Sequence, residues 1–182
     1  MKLFFSILTI IIFIATGTIA NANSFYHTSQ LHSSLSFESH SSKSEIKLYV
    51  HKRSDLDYDK LNRAVVAVKN RIGDPYISGS CAKKMHLSIY IIPYSTLNNR
   101  SLMKDMINWS SVSPENIVGI FDNRHEYEKG FIYIADAYGE AEVISTIAHE
   151  MYHAKQRANC KSGPEDDAVN FEESFCNTAG FC

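Results

Sequence analysis

The chain has 182 residues, which is enough for one domain with a hydrophobic core and too few to indicate two. Its hydrophobic fraction of 45% and charged fraction of 21% are ordinary for a globular protein. The formal net charge is -2 and lysines and arginines do not cluster along the sequence, so we expect no nucleic-acid partner.

The N-terminus has the pattern of a signal peptide. Lys2 follows the first methionine, residues 3–14 are almost wholly apolar, and Ala20 and Ala22 offer small residues to a signal peptidase. The apolar run is shorter than the roughly 20 residues that span a bilayer. We predict a signal peptide at residues 1–22, with an uncleaved anchor as the alternative. The mature protein is then secreted or periplasmic and has no membrane association.

Residues 23–44 are rich in serine and are predicted as a flexible leader, which leaves residues 45–182 as the folded domain. Strands are predicted from β-branched and aromatic runs at residues 45–50, 86–92, 117–121 and 131–135, the last two as a possible hairpin. Ser54 can cap a helix that runs to about Arg71 and stops at Gly73. A short helix is predicted over residues 101–109. The sequence therefore indicates an α+β domain.

Two helices are predicted in the C-terminal third. In residues 140–158, apolar residues recur at spacings of three and four and so form one buried face: Val143, Ile147, Met151, Ala154 and Ala158. Residues 165–179 follow. Ser162 and Glu165 are spaced as a capping box, and Gly180 suits the helix end. The acidic residues Glu165, Asp166 and Asp167 are interpreted as charges that favour the start of a helix.

The first of these helices carries the motif H-E-x-x-H in His149, Glu150 and His153. Residues four apart lie on the same helix face, so both imidazoles can bind one ion, and neutral imidazole is a good zinc ligand. Glu150 is rotated by about 100° from His149, which places its carboxylate beside the ion. There it can take a proton from a water molecule and later pass it on. The motif predicts a catalytic zinc site that still requires a third protein ligand.

This segment, followed by Glu173 and Asn177 on the next helix, resembles the zincin metallopeptidases of the gluzincin type. Their pattern is H-E-x-x-H followed about twenty or more residues later by E-x-x-x-D on a second helix. The resemblance implies His149, His153 and Glu173 as ligands of one zinc ion, with Glu150 as the catalytic base. Glu172 is the alternative third ligand.

The chain departs from this pattern at Asn177. In the family, the acidic residue at that place orients a ligand histidine, whereas the amide of Asn177 carries no charge. The resemblance also implies a small twisted, mostly antiparallel sheet, whose edge strand pairs with an extended substrate, a role that falls to residues 131–135. No residue is assigned to stabilise the oxyanion; the candidates near the motif are His125, Tyr138, Tyr152 and Arg157.

Four cysteines in an exported chain favour two disulfides, for which the sequence alone allows three pairings. If the two C-terminal helices are antiparallel, Cys160 and Cys176 lie at opposite ends and too far apart to bond. That arrangement favours Cys81 with Cys160 and Cys176 with Cys182.

These observations lead us to expect an exported zinc metallopeptidase that acts on a peptide or protein substrate. One alternative is a secreted zinc-binding module without catalysis, which the uncharged Asn177 would suit. Another is a zinc hydrolase of a non-peptide amide, since the motif does not specify the substrate. The sequence gives neither the cleavage specificity nor the oligomeric state.

Overall fold

The structure is a computed structural model that describes residues 35, 37–39, 46–52, 54–73, 77–103, 117–122, 128–161 and 164–182. The predicted signal peptide (residues 1–22) and most of the predicted leader lie outside the described residues, as do residues 104–109 of the predicted short helix. Ser162 and His125 lie outside them as well.

Five strands form one sheet in the order β1-β2-β3-β5-β4. Their bounds are β1 Phe37–Ser39, β2 Ile46–His51, β3 His86–Ile92, β4 Gly119–Asp122 and β5 Lys129–Ala135. The central strands β2, β3 and β5 are parallel, while β1 and β4 pair antiparallel at the two sides. Strand β1 lies in the segment predicted as a flexible leader, so the sheet begins before residue 45.

The helices are α1 Tyr58–Ile72, the short α2 Tyr94–Leu97 and α3 Arg100–Met103, and then α4 Glu140–Ala158 and α5 Glu165–Ala179. The bounds of α4 and α5 agree with the prediction. Helix α1 begins later than expected, because Asp57 rather than Ser54 caps it by accepting a hydrogen bond from the Lys60 N–H at 3.1 Å. It ends at Gly73, whose φ of 74° favours glycine.

The core lies between one face of the sheet and the helices α1 and α4. Its strand residues are Ile46, Leu48, Val50, Leu87, Ile89, Ile91, Ile132 and Ile134. From α4, the predicted apolar face of Val143, Ile147, Met151, Ala154 and Ala158 is buried here. This burial sets the rotation of α4 about its axis, so the opposite side of the helix faces the cleft described below.

The prediction of an α+β fold is confirmed, but an antiparallel sheet is correct only for the two outer pairs. The parallel pair β2–β3 needs a crossover, which α1 supplies. The nearly continuous apolar run of β3 is typical of a buried parallel strand. Strand β5 pairs with β3 and β4 on its two sides, so residues 131–135 cannot serve as an edge strand. Among the described strands, β1 and β4 are the two edge strands, and β4 is the one next to β5.

Both predicted disulfides are present. Cys81–Cys160 joins the loop before β3 to the end of α4, with Cα atoms 5.3 Å apart, and Cys176–Cys182 joins α5 to the C-terminus, with Cα atoms 5.1 Å apart. Such bonds are characteristic of an oxidising compartment. Within the described part of the chain, no helix has the length and hydropathy needed to cross a bilayer.

Candidate metal centre

Helix α4 presents its two motif histidines side by side at one end of the cleft. His149 and His153 are one turn apart, and their Nε2 atoms lie 3.2 Å from each other. Their side chains are 13% and 20% exposed, so both imidazoles reach solvent only at their edges. The two rings therefore converge on one point, as predicted. The burial of the opposite face of α4 turns both of them to this side.

The carboxylate that meets the two imidazoles belongs to Glu165, the first residue of α5. Its Oε1 lies 2.8 Å from His149 Nε2, and its Oε2 lies 3.2 Å from His153 Nε2. The three residues offer ligand atoms within 4.8 Å of one another. Glu165 was interpreted from the sequence as a helix-start charge, and it does lie in the first turn of α5 with Asp166 and Asp167. The predicted capping box is not found in the described start of α5, where Pro164 is the N-cap and no side chain caps the helix.

The separations in this group suit a tetrahedral ion. Ligands at the roughly 2.0–2.1 Å typical of zinc lie about 3.3 Å from one another at the corners of a tetrahedron. The 3.2 Å between the two Nε2 atoms is close to that value, and each Nε2 faces a different oxygen of Glu165, at 2.8 Å for His149 and 3.2 Å for His153. Two imidazoles and one carboxylate also leave a fourth position for water. The group could therefore hold a metal ion.

The Nδ1 atom of each imidazole lies within hydrogen-bond distance of an acceptor side chain. His149 Nδ1 lies 2.9 Å from Glu172 Oε2, and the Ser145 hydroxyl donates to the other oxygen of Glu172. His153 Nδ1 lies 2.8 Å from Gln156 Oε1. In a neutral imidazole, an acceptor that holds the proton on Nδ1 leaves the lone pair on Nε2, so two neutral rings held in this way would direct both lone pairs to one point where a cation could bind.

The electrostatics of the metal-free site favour a positive charge between these groups. The hydrogen bond to Glu172 raises the pKa of His149 to about 9, against the opposing effect of burial and with help from Glu150 and Glu165. The same bond lowers the pKa of Glu172. At neutral pH a proton therefore occupies His149, and a metal ion that bound there would displace it.

Glu150 is buried, with 7% of its surface exposed, and lies on the same side of α4 as the histidines. Burial raises the pKa of its carboxyl group to about 7, although His149 and a hydrogen bond from the backbone N–H of Phe121 lower it. A carboxyl group with a pKa near neutrality can both accept and donate a proton under physiological conditions.

The site opens into a cavity of about 310 Å³ between α4, the start of α5 and β4. Residues that line it include Ile117, Val118, Thr146 and both Glu150 and Glu165. Gly119 of β4 is packed against α4 so closely that a Cβ atom there would lie 2.9 Å from Glu150 Oε1. A glycine at this position is what allows the strand to lie beside the proposed base.

The structure does not bring Glu173 to this group. On α5, Glu165 and Glu172 are seven residues apart, nearly two turns, and so share the face toward α4, while Glu173 is rotated by about 100° and is exposed. Asn177 is exposed as well. The orienting role that the family pattern gave to that place is filled here by Glu172, which was the alternative ligand.

The short connection between α4 and α5 contained a signal that would have located Glu165. Six residues separate the two helices. A connection this short between antiparallel helices places the first turn of α5 opposite the last turns of α4, and hence beside His153. Of the described candidates for the oxyanion, Tyr152 stacks on Phe171, and neither it nor Tyr138 nor Arg157 lines the cavity.

Comparison with known proteins found no family model, no curated protein and no solved structure that matches the chain.

Proposed function

We propose that this protein is a zinc-dependent hydrolase of peptide bonds, with His149, His153 and Glu165 as metal ligands and Glu150 as general base. The observation that supports it best is the convergence of His149, His153 and Glu165, whose ligand atoms lie within 4.8 Å of one another, beside the buried carboxyl group of Glu150. Glu165 replaces Glu173, which the resemblance had implied.

The contacts suggest a role for each residue of the site. When bound, zinc would polarise the substrate carbonyl and lower the pKa of a water molecule. Glu150 would take the proton from that water and deliver it to the departing nitrogen, since its carboxyl group lies beside the metal group and lines the same cavity. The Phe121 N–H holds the Glu150 carboxylate in place, while Glu172 and Gln156 hold the imidazoles.

Strand β4 would bind the substrate main chain. The Ala135 N–H donates to the Val118 carbonyl oxygen at 2.9 Å, so the backbone N–H and C=O groups of Val118 and Ile120 point to β5. Those of Gly119 and Phe121 then point away from β5. Phe121 N–H points away and meets Glu150, which places the backbone of Gly119 on the same outer side, lining the cavity. An extended peptide could add to this side of the sheet with its carbonyl near the metal site.

The location we propose is outside the cytoplasm, either secreted or periplasmic. The two disulfides support an oxidising compartment. The signal peptide predicted at residues 1–22 would provide the export route.

Two other functions are compatible with the same metal group. A secreted zinc-binding module without catalysis was suggested by the uncharged Asn177, but Glu172 already gives His149 a carboxylate partner, which weakens that support. A zinc hydrolase of a non-peptide amide would use the same residues on another substrate.

The decisive experiment measures zinc content and peptide cleavage on the disulfide-bonded protein. We expect one zinc per chain and cleavage of a fluorescence-quenched peptide library that a chelator abolishes. Glu150→Gln should keep the zinc and lose cleavage, because an amide cannot accept the proton. Glu173→Gln, a matched loss of one carboxylate on α5, should keep both. Zinc binding without any cleavage by the wild-type protein would favour the non-catalytic module or the other amide, and an active Glu150→Gln variant would refute the mechanism.

A further inference from the structure

Gln156 is a buried polar side chain between the two helices that carry the metal group. It lies on α4, three residues after His153, and is 7% exposed. Its Oε1 lies 2.8 Å from His153 Nδ1, and its Nε2 donates to the Pro164 carbonyl oxygen at 3.5 Å. Pro164 directly precedes Glu165. The amide of Gln156 thus touches one ligand on α4 and the backbone next to the ligand on α5.

The direction of this amide determines which nitrogen of His153 is free. The Pro164 carbonyl can only accept a hydrogen bond, so the NH2 end of Gln156 faces it and the oxygen end faces His153. The oxygen then accepts the proton of Nδ1. His153 Nε2 is left with a lone pair, directed to the point shared with His149 and Glu165.

We propose that Gln156 is a positioning residue that fixes the tautomer and ring orientation of His153 for metal binding. The inference rests on the proposed metal site and deepens it. It predicts a specific order of variants, because substitutions at position 156 can keep or remove the acceptor while the chain length of the residue stays similar.

The surroundings of Gln156 determine which variants make a useful comparison. Its side chain also lines a second cavity of about 450 Å³ together with Lys155 and Lys161. Gln156→Glu keeps an acceptor toward His153 but loses the donor to the Pro164 carbonyl, and its charge lies in a cavity lined by these two cations and by Asp167. Gln156→Met removes the acceptor at similar length. Lys161→Met is the matched control, because it removes a polar group from the same cavity without touching a ligand.

The experiment measures zinc affinity of the disulfide-bonded protein by competition with a chromophoric chelator. We expect Gln156→Met to weaken zinc binding by about 10- to 100-fold, as for other partners that orient metal ligands. Gln156→Glu should stay within about fivefold of the wild type, and Lys161→Met should not change it. In addition, 1H–15N spectra of the zinc-loaded wild-type protein should show His153 bound through Nε2 with its proton on Nδ1.

Several results would overturn the inference alone. One is a zinc affinity of Gln156→Met within about threefold of that of the wild type. Another is a loss of zinc affinity in Gln156→Glu as large as that expected for Gln156→Met. The third is a spectrum that shows His153 bound to zinc through Nδ1. If Gln156→Met does not fold, the other two measurements still decide. A wild-type protein that binds no zinc would overturn the proposed function, and this inference with it.

Discussion

The assignment of Glu165 as the third metal ligand can be tested by Glu165→Gln. Zinc binding by four-ligand structural sites is worth about 10–16 kcal/mol, or roughly 3 kcal/mol per ligand. The Glu165 side chain is 69% exposed, so water can partly replace it. We therefore expect a loss of about 2–3 kcal/mol, which weakens zinc binding by roughly 30- to 150-fold.

The assay is a zinc titration in competition with a chelator of known affinity, at one pH and with both disulfides intact. Glu173→Gln is the control, because it removes the same charge from the same helix outside the group of donor atoms. Its zinc affinity should stay within about twofold of the wild type. If Glu173→Gln weakened zinc binding and Glu165→Gln did not, the family pattern would be correct and the geometry at Glu165 would be misleading.

Three further predictions concern the neighbours of the metal group. The pKa of His149 is about 9 in the metal-free protein, so zinc must displace a proton from this imidazole below that pH. Calorimetry in buffers of different ionisation enthalpy should show that His149 releases about one proton on zinc binding at pH 7.5. Zinc affinity should also rise with pH up to about 9. Glu172→Gln should weaken zinc binding by about 10- to 100-fold in the same chelator assay, since it removes the charged acceptor on His149. Gly119→Ala should lower kcat at least about tenfold without changing zinc affinity, because the added methyl group would overlap Thr146 Cγ2 and lie 2.9 Å from Glu150 Oε1, so that both side chains must shift. Unchanged cleavage kinetics would contradict this.

The elements of the fold that depend on local sequence could be predicted well. The apolar spacing of α4 and the stop at Gly180 gave the two C-terminal helices with their bounds. The pairing of the strands could not be predicted in the same way, because the direction of β3 relative to β5 depends on the path of residues 93–128 around the sheet. The continuous apolar run of β3 was the available signal for a parallel strand.

The residues of the metal group likewise include some that local sequence could predict and others that it could not. His149, Glu150 and His153 could be found because one helix sets their relation. The third carboxylate comes from another helix, and the sequence offered several acidic residues on α5. A family spacing selected Glu173, whereas the helix pair selects Glu165 and Glu172, because they share the face toward α4. Gln156 carried no sequence signal, since a buried glutamine is recognised only by what it contacts.

The bond between Cys81 and Cys160 has a consequence for when the protein matures. It closes a loop with a sequence separation of 79 residues at the turn that leads from α4 to α5. Closing a loop of that length removes about 4.5 kcal/mol of chain entropy from the unfolded state, a large part of the stability of a small domain. A chain still in a reducing cytosol lacks that contribution. The stability of the helix pair that carries the metal group therefore depends on the redox state of its surroundings.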